Sequence, residues 1–360
     1  MFCLRTFLHR ALPAAWQQRG WVARLLWPLS CLYAWIWRKQ QRRAAQQHAH
    51  APLPVPVLVI GNVIAGGAGK TPTCISVVQH FSRMGLRVGV LSRGYGRHPS
   101  APACLSVNTA TPAEHAGDEP LLIHRHTGVP VVVCAQRLQA ARQLLHQHPD
   151  TQLLVCDDGL QHLALPRTGE ICVMDERGIG NGWLLPAGPL REPWPRRTTL
   201  LLQITAPSPT MPARNAPPIP PGQATFQAQR TLADTALRTD GQQHALTDWV
   251  GNGQAVTALA GIAQPDRFFA MLRAAGLHVM ETASLPDHAD TAELLQQAKH
   301  LLRHNAPLLC TEKDAVKLWP QLPHVWAVPL VLQPEPAFFA ALNDWWQQQH
   351  TPHNPHRPVE

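Results

Sequence analysis

No acidic side chain precedes Glu114 in this 360-residue chain. The first 113 residues carry 13 Lys and Arg, and the remainder carries 18 basic against 23 acidic residues, giving a net charge of +8. The positive excess therefore belongs to the first third alone. Charged residues are also scarce overall, at 15% against the roughly 25% usual in soluble proteins, which favours extensive burial or a membrane-facing surface. The eight cysteines form no CxxC pair and no other metal-ligand spacing. Most lie in apolar runs, so free thiols in a reducing compartment, without disulfides, are expected. Histidine pairs such as His124/His126 lack nearby Cys or carboxylate partners at zinc spacing and are expected at the surface. Near the N-terminus the uninterrupted apolar stretch 25–37 is 13 residues long and contains Pro28, short of the about 20 that a membrane-spanning helix needs. It starts late and lacks a small-residue cleavage site, which argues against a signal peptide.

With 45% hydrophobic residues the chain is long enough for about two domains with substantial cores. Five of its 12 tryptophans fall within the first 37 residues, among Arg19, Arg24, Arg38, Lys39, Arg42 and Arg43. Indole rings at both ends of an apolar stretch with polybasic flanks fit a helix lying in the headgroup region of an anionic membrane. The alternative is an ordinary buried helix with solvated ends.

A short apolar run, 57–60, leads into Gly61-Asn62-Val63-Ile64-Ala65-Gly66-Gly67-Ala68-Gly69-Lys70-Thr71-Pro72. Strand, glycine-rich turn, then GKT at the start of a helix over 73–84 is a phosphate-binding arrangement. Backbone amides and the helix N-terminus hold phosphates, Lys70 reaches the outer ones and the Thr71 hydroxyl can ligate magnesium. The strict pattern has glycine where this chain has Ile64, so the loop is a variant with its glycines shifted to 66 and 67. Pro72 is tolerated because the first helical turn lacks internal amide partners. Beyond a second strand, Arg93, Tyr95 and Arg97 sit in a glycine-hinged basic loop. An apolar strand over 152–156 ends in Asp157-Asp158-Gly159-Leu160-Gln161, where a phosphate-loop fold brings a carboxylate to the metal held by Thr71. Gly117-Asp118-Glu119-Pro120 reads either as a site tetrapeptide or as a helix start with Pro120 at the first helical position. A GTPase is disfavoured, because Leu160 and Gln161 stand where DxxG needs glycine and Thr311-Glu312-Lys313-Asp314 has the wrong spacing for a guanine-reading motif.

Together these segments resemble the tetraacyldisaccharide 4'-kinase (lipid A 4'-kinase) family of Gram-negative bacteria. The resemblance is carried in order by GNVIAGGAGKTP (61–72), VLSRGYGR (90–97), AGDEP (116–120), AQR (135–137), DDGLQH (157–162), LLPAGPLREP (184–193), LPDHAD (285–290) and CTEKDAVKL (310–318). It implies transfer of the ATP γ-phosphate to the 4'-hydroxyl of an acylated glucosamine disaccharide 1-phosphate, with ATP and Mg2+ as co-substrate and cofactor, at the cytoplasmic face of the inner membrane. It further implies that Asp118, paired with His288, acts on the acceptor hydroxyl as base or orienting group, and that Glu119, Asp158 and Gln161 join Thr71 around magnesium with Asp157 close to the transferring phosphate. Lys70 and Arg191 would neutralise phosphate charge, and Tyr95, Arg97 and Arg137 would lie near the acceptor. A membrane surface is the expected partner, nucleic acid is not, and a monomer is expected.

The expected fold class is α/β: a phosphate-loop nucleoside-triphosphate-binding parallel sheet, a second, smaller α/β domain and an N-terminal interfacial helix. Expected boundaries are 1–49 for the basic Trp-rich segment, 50–205 for the kinase domain, 206–250 for a proline-rich linker or insertion, 251–348 for the second domain and 349–360 for a disordered tail. Two rival functions remain on sequence grounds. One is a membrane-associated partitioning or targeting ATPase acting as a binding switch, disfavoured by the missing lysine early in the loop. The other is a structural membrane protein with a vestigial loop, disfavoured by intact Lys70, Thr71 and the Asp157–Asp158 pair.

Overall fold

A computed structural model of the chain describes residues 16–48, 53–205, 217–287 and 289–350. The expected tail, 349–360, lies almost wholly outside these residues, as does His288. In chain order the first elements are α1 (Trp21–His48), β1 (Val57–Gly61), α2 (Lys70–Arg83), β2 (Val88–Ser92), β3 (Cys104–Val107), α3 (Ala113–Ala116) and α4 (Asp118–Thr127). Then come β4 (Val131–Cys134), α5 (Arg137–Gln147), β5 (Leu153–Asp157), β6 (Gly169–Met174), β7 (Leu200–Thr205) and β8 (Thr225–Leu232). The remainder forms β9 (Thr235–Leu237), β10 (Gln243–Ala245), α6 (Leu246–Gly251), β11 (Val256–Ala260), α7 (Pro265–Ala274), β12 (Val279–Ser284) and α8 (Thr291–Leu301). It ends with β13 (Leu308–Thr311), α9 (Glu312–Leu318), β14 (Trp326–Val328), β15 (Leu330–Pro334) and α10 (Pro336–His350).

Nine strands make the larger sheet, in the order β15-β8-β7-β6-β1-β5-β2-β4-β3. Its interior pairs are parallel and only the outermost strands, β3 and β15, run antiparallel. A parallel sheet is covered on both faces, so β1 is apolar at successive positions. Leu58 and Ile60 enter one core with Phe81 and Leu121, and Val57 and Val59 enter the other with Ala140 and Leu144, as the two-residue period of a strand requires. A six-stranded sheet, β10-β9-β14-β13-β11-β12, builds the second unit.

The chain path differs from the expected divisions in two places. A boundary at 205 falls between β7 and β8, which are hydrogen-bonded neighbours, so residues 225–232 of the expected linker are a strand of the larger sheet. Within the expected second domain, 251–348, Pro329 separates β14 from β15, which lie in different sheets; β15 and α10 then return to the first unit, where Trp345 packs against Gly169. The expectation of no disulfide is corrected as well. Cys104 and Cys134 stand directly opposite on antiparallel β3 and β4, with Cα atoms 4.5 Å apart, and are bonded. Thirty residues separate them in sequence, so spacing alone does not reveal the pairing.

Helix α1 turns a stripe of residues spaced by seven, Ala23, Ser30, Trp37 and Ala44, toward the protein, and Ala23, Ser30 and Ala44 are buried. The Ser30 hydroxyl donates to the Leu184 carbonyl (2.8 Å) and the Tyr33 hydroxyl to the Arg191 carbonyl (2.7 Å). The opposite side leaves Trp21 77% and Leu25 71% exposed, together with Trp27, Leu29, Leu32, Trp35 and Ile36. Among the described residues no helix is long and apolar enough to cross a membrane.

Candidate functional site

The loop after β1 is held from three sides. Asn62, fully buried, donates its side-chain amide to the carbonyls of Ile64 (2.9 Å) and Gly66 (3.1 Å). The segment 189–191 lies beside it, with Ala65 N–H donating to the Pro189 carbonyl and Arg191 N–H to the Val63 carbonyl. Ile64, the departure from the strict loop pattern, is buried and forms a β-bridge with Leu190, which explains an apolar residue at that position. Arg177, which sequence reasoning missed, donates to the Gly67 carbonyl (2.6 Å) while pairing with Asp175 (2.8 Å). Gly69 caps α2 at φ 83°, a left-handed conformation that side chains resist. Helix α2 therefore begins with no side-chain cap, and its first amides are left for an anion.

Lys70 and Thr71, both buried, open α2. Lys70 Nζ is 3.7 Å from Asp158 Oδ1, and Arg191 Nη1 is 2.9 Å from the same oxygen and 3.2 Å from Asn62 Oδ1. Although burial opposes it, these two cations hold the Asp158 carboxyl below its usual range. Its neighbour Asp157 is the opposite case. Fully buried, with neither carboxylate oxygen hydrogen-bonded, it is pushed up to about 8 by burial and then by Glu119 and Asp158. The Gln161 amide nitrogen donates to the Asn62 carbonyl (2.9 Å), which leaves its buried oxygen without a partner.

Asp118 and Glu119 form the first turn of α4, behind Gly117. Pro120 is the third helical residue, so the reading with proline at the first position does not hold. Gly117 packs its Cα side onto Gly94 and Tyr95, joining the acidic and basic loops. Asp118, 6% exposed, pairs with Lys317 at 2.9 Å; Glu119 lies 3.9 Å from Lys313.

The three residues expected near an acceptor differ in their setting. Tyr95 is exposed. The Arg97 guanidinium donates to the carbonyls of His115 (2.5 Å), Ala103 (3.4 Å) and Pro102, so it braces its own loop. Arg137 is buried and donates to the carbonyls of Cys134 and Ala135, with Nε unpartnered. Its main-chain N–H reaches His162 Nε2 at 3.3 Å; burial and then Arg137 push that imidazole down to about 4, so it is a neutral acceptor.

A cleft of about 570 Å³ opens at the start of α2, lined by Gly67, Gly69 and Lys70–Pro72, by Glu119 and Arg230, and by apolar Ile204, Met271 and Val331. A lining of mixed polar and apolar groups suits a nucleotide. Among the described residues no three His, Cys, Asp or Glu side chains form a metal cluster. Magnesium needs no such cage, since it is commonly held by one or two carboxylates, water and substrate phosphates. The orphaned oxygens of Asp157 and Gln161 are hard donors of the right kind.

A parallel sheet whose glycine-rich loop opens α2, with acids at a neighbouring strand end and cations around them, defines a phosphate-loop phosphotransferase. The sequence profile of the tetraacyldisaccharide-1-P 4'-kinases (LpxK) matches residues 22–347. A tetraacyldisaccharide 4'-kinase of Verminephrobacter eiseniae is 50% identical over 338 residues, covering 92% of this chain and 74% of that one. One from Polaromonas naphthalenivorans is 48% identical, covering 93% and 94%. The crystal structure of LpxK from Aquifex aeolicus in complex with ATP superposes with a TM-score of 0.72 at 27% identity, over 90% of this chain and 99% of that one. The chain belongs to the tetraacyldisaccharide-1-P 4'-kinase family.

Proposed function

We propose that the protein transfers the γ-phosphate of ATP to the 4'-hydroxyl of a tetraacylated glucosamine disaccharide 1-phosphate at the surface of an anionic membrane. The observation that carries this reading is the gathering of Lys70, Arg191 and Asp158 at the start of α2, together with a cleft lined both by Lys70 and Thr71 and by Glu119 from the first turn of α4. Phosphoryl transfer requires alignment and charge neutralisation more than covalent help. Lys70 and Arg191 neutralise phosphate oxygens, exchanging Asp158 for the nucleotide. Asp118 accepts or aims the acceptor hydroxyl proton, with His288, which lies outside the described residues, as its partner. Thr71, Asp158, Glu119 and Gln161 would hold magnesium, which would supply charge neutralisation at the phosphates, with Asp157 close to the transferring phosphate. Tyr95 and Arg137 would lie near the acceptor, and Arg97 would support them by ordering its loop.

The acceptor is anchored in a bilayer by its acyl chains. The exposed apolar side of α1, flanked by exposed Arg24, Arg38, Lys39, Arg42 and Arg43, supports docking onto it, as an amphipathic helix does in a headgroup region. The cytoplasmic face of the inner membrane is the side that supplies ATP, and the fold functions as a monomer.

The test is incubation of the full chain with labelled ATP, magnesium and the disaccharide lipid in mixed micelles. Label in the lipid at the 4' position supports the reading. ATP hydrolysis without lipid labelling would contradict it.

A further inference from the structure

The segment 310–318 has no part in the scheme above, yet its helix α9 is packed on α4, the helix that opens on Asp118. Three polar pairs cross between them: Lys317 with Asp118 (2.9 Å), Lys313 with Glu119 (3.9 Å) and Glu312 with His126 (2.8 Å). Lys313 and Lys317 are four apart, so they share one face of the helix. Both also reach the loop that precedes α8. Lys313 Nζ donates to Asp287 Oδ1 (2.8 Å) and Lys317 Nζ to the Ala289 carbonyl (3.0 Å).

Helix α9 is itself fixed firmly. Thr311 caps it, accepting from Asp314 N–H and donating its hydroxyl to Asp314 Oδ2 (2.6 Å), and that buried carboxylate also accepts the Gly261 N–H (2.9 Å). The ammonium groups are thus presented from a rigid element of the second unit. Asp118 is nearly out of water, where a carboxylate needs a cation or several donors. A lysine bound at once to this carboxylate and to a main-chain carbonyl of the 285–290 loop sets the distance between the two.

We infer that Lys317 is a positioning residue for the phosphoryl transfer, holding Asp118 against the loop of the second unit so that the carboxylate meets the acceptor hydroxyl. The inference rests on the reading of Asp118 given under Proposed function. Lys317 touches neither nucleotide nor acceptor in this scheme and acts through Asp118. Methionine at 317 keeps the length of the side chain and removes the charge and the donors; arginine keeps both.

The experiment compares Lys317→Met, Lys317→Arg, Asp118→Asn and the double variant Lys317→Met/Asp118→Asn, as full chains with ATP and the disaccharide lipid in micelles. Turnover, KM for ATP and the thermal midpoint are measured for each. Misalignment of one reacting group costs about 10- to 100-fold in kcat for Lys317→Met, with KM for ATP within about two-fold, and Lys317→Arg recovers most of the loss. Because the two residues act as a unit, adding Lys317→Met to Asp118→Asn lowers the rate by less than about two-fold more. A merely structural lysine gives instead the same fold loss in both backgrounds, which overturns the inference. Wild-type turnover by Lys317→Met beside an impaired Asp118→Asn overturns it alone, whereas full activity of Asp118→Asn removes the reading of Asp118 and the inference with it. Should Lys317→Met not fold, Lys317→Gln is read by the same criteria.

Discussion

Arg191 Nη1 and Asp158 Oδ1 stand 2.9 Å apart, in an ion pair that Lys70 shares from 3.7 Å. Two cations on one carboxylate form a ready acceptor of phosphate charge, since an incoming polyphosphate offers both a stronger partner. Replacing Arg191 with methionine is expected to lower kcat by about 10²–10³-fold, the usual cost of losing one preorganised charge at a developing anion. Steady-state kinetics at saturating ATP measure this. A loss confined to KM would assign Arg191 to ground-state binding.

A methyl group at position 69 has no room. A Cβ there would stand 2.4 Å from Ile204 Cδ1 and 2.8 Å from Arg230 Nη2, on a residue at φ 83°. Gly69→Ala is expected to displace the loop and weaken ATP binding at least about ten-fold, with a stability cost of about 1–3 kcal/mol for the left-handed strain. Equilibrium nucleotide titration and urea unfolding test the two effects separately.

The contact between the units carries a pH dependence through His126. Its hydrogen bond to Glu312 raises the imidazole above the ordinary value of 6.5, against the effect of burial. A raised folded pKa contributes stability that is fully present below the unfolded value and is lost as pH rises through the folded value. His126→Gln should therefore destabilise the protein more at pH 6 than at pH 9, as read from urea midpoints. Equal destabilisation at both would show that the pair contributes no charge effect.

Helix α1 offers its apolar side to water, so a charge placed there need not disturb the fold. Leu25→Asp and Trp35→Asp, singly and together, are expected to reduce sedimentation with anionic vesicles several-fold, because each removes buried apolar area and adds repulsion. ATP binding should be unchanged. Vesicle binding that survives the double variant would locate the membrane contact elsewhere.

Much of this architecture was legible in the sequence because it depends on local pattern. The continuous apolar run 57–60 followed by glycines marks a doubly buried strand and its loop, and the paired acids at 157–158 mark the end of another. Long-range pairings were not legible. Nothing local to Pro329 reveals that the chain leaves one sheet and joins the other, and residues 225–232, after a proline-rich stretch, carry no sign that their partners are 200–205 and 330–334. The bond between Cys104 and Cys134 depends on register across β3 and β4 in the same way. Within the site, Lys70, Asp158 and Arg191 meet in one cluster, of which Arg191 was named only through the family resemblance, whereas Arg177 and the two lysines of α9 were not picked out. The four-residue spacing of Lys313 and Lys317 was the available signal, and it acquires meaning only once α9 is known to face α4. Arg97 shows the converse: a residue expected near the acceptor has its guanidinium occupied by main-chain carbonyls.

On the proposed reading a phosphate passes from nucleotide to lipid sugar with Asp118 at the receiving hydroxyl. The most direct measurement is single-turnover transfer of γ-labelled phosphate from ATP to the micellar disaccharide lipid, by the wild-type chain and by Asp118→Asn. The wild-type chain is expected to label the lipid at the 4' position, and Asp118→Asn to bind ATP with unaltered affinity while transferring at least about 10²-fold more slowly, as for loss of a group acting on a proton in the transition state. Equal transfer rates for the two proteins, or no label in the lipid with the wild-type chain, would contradict it.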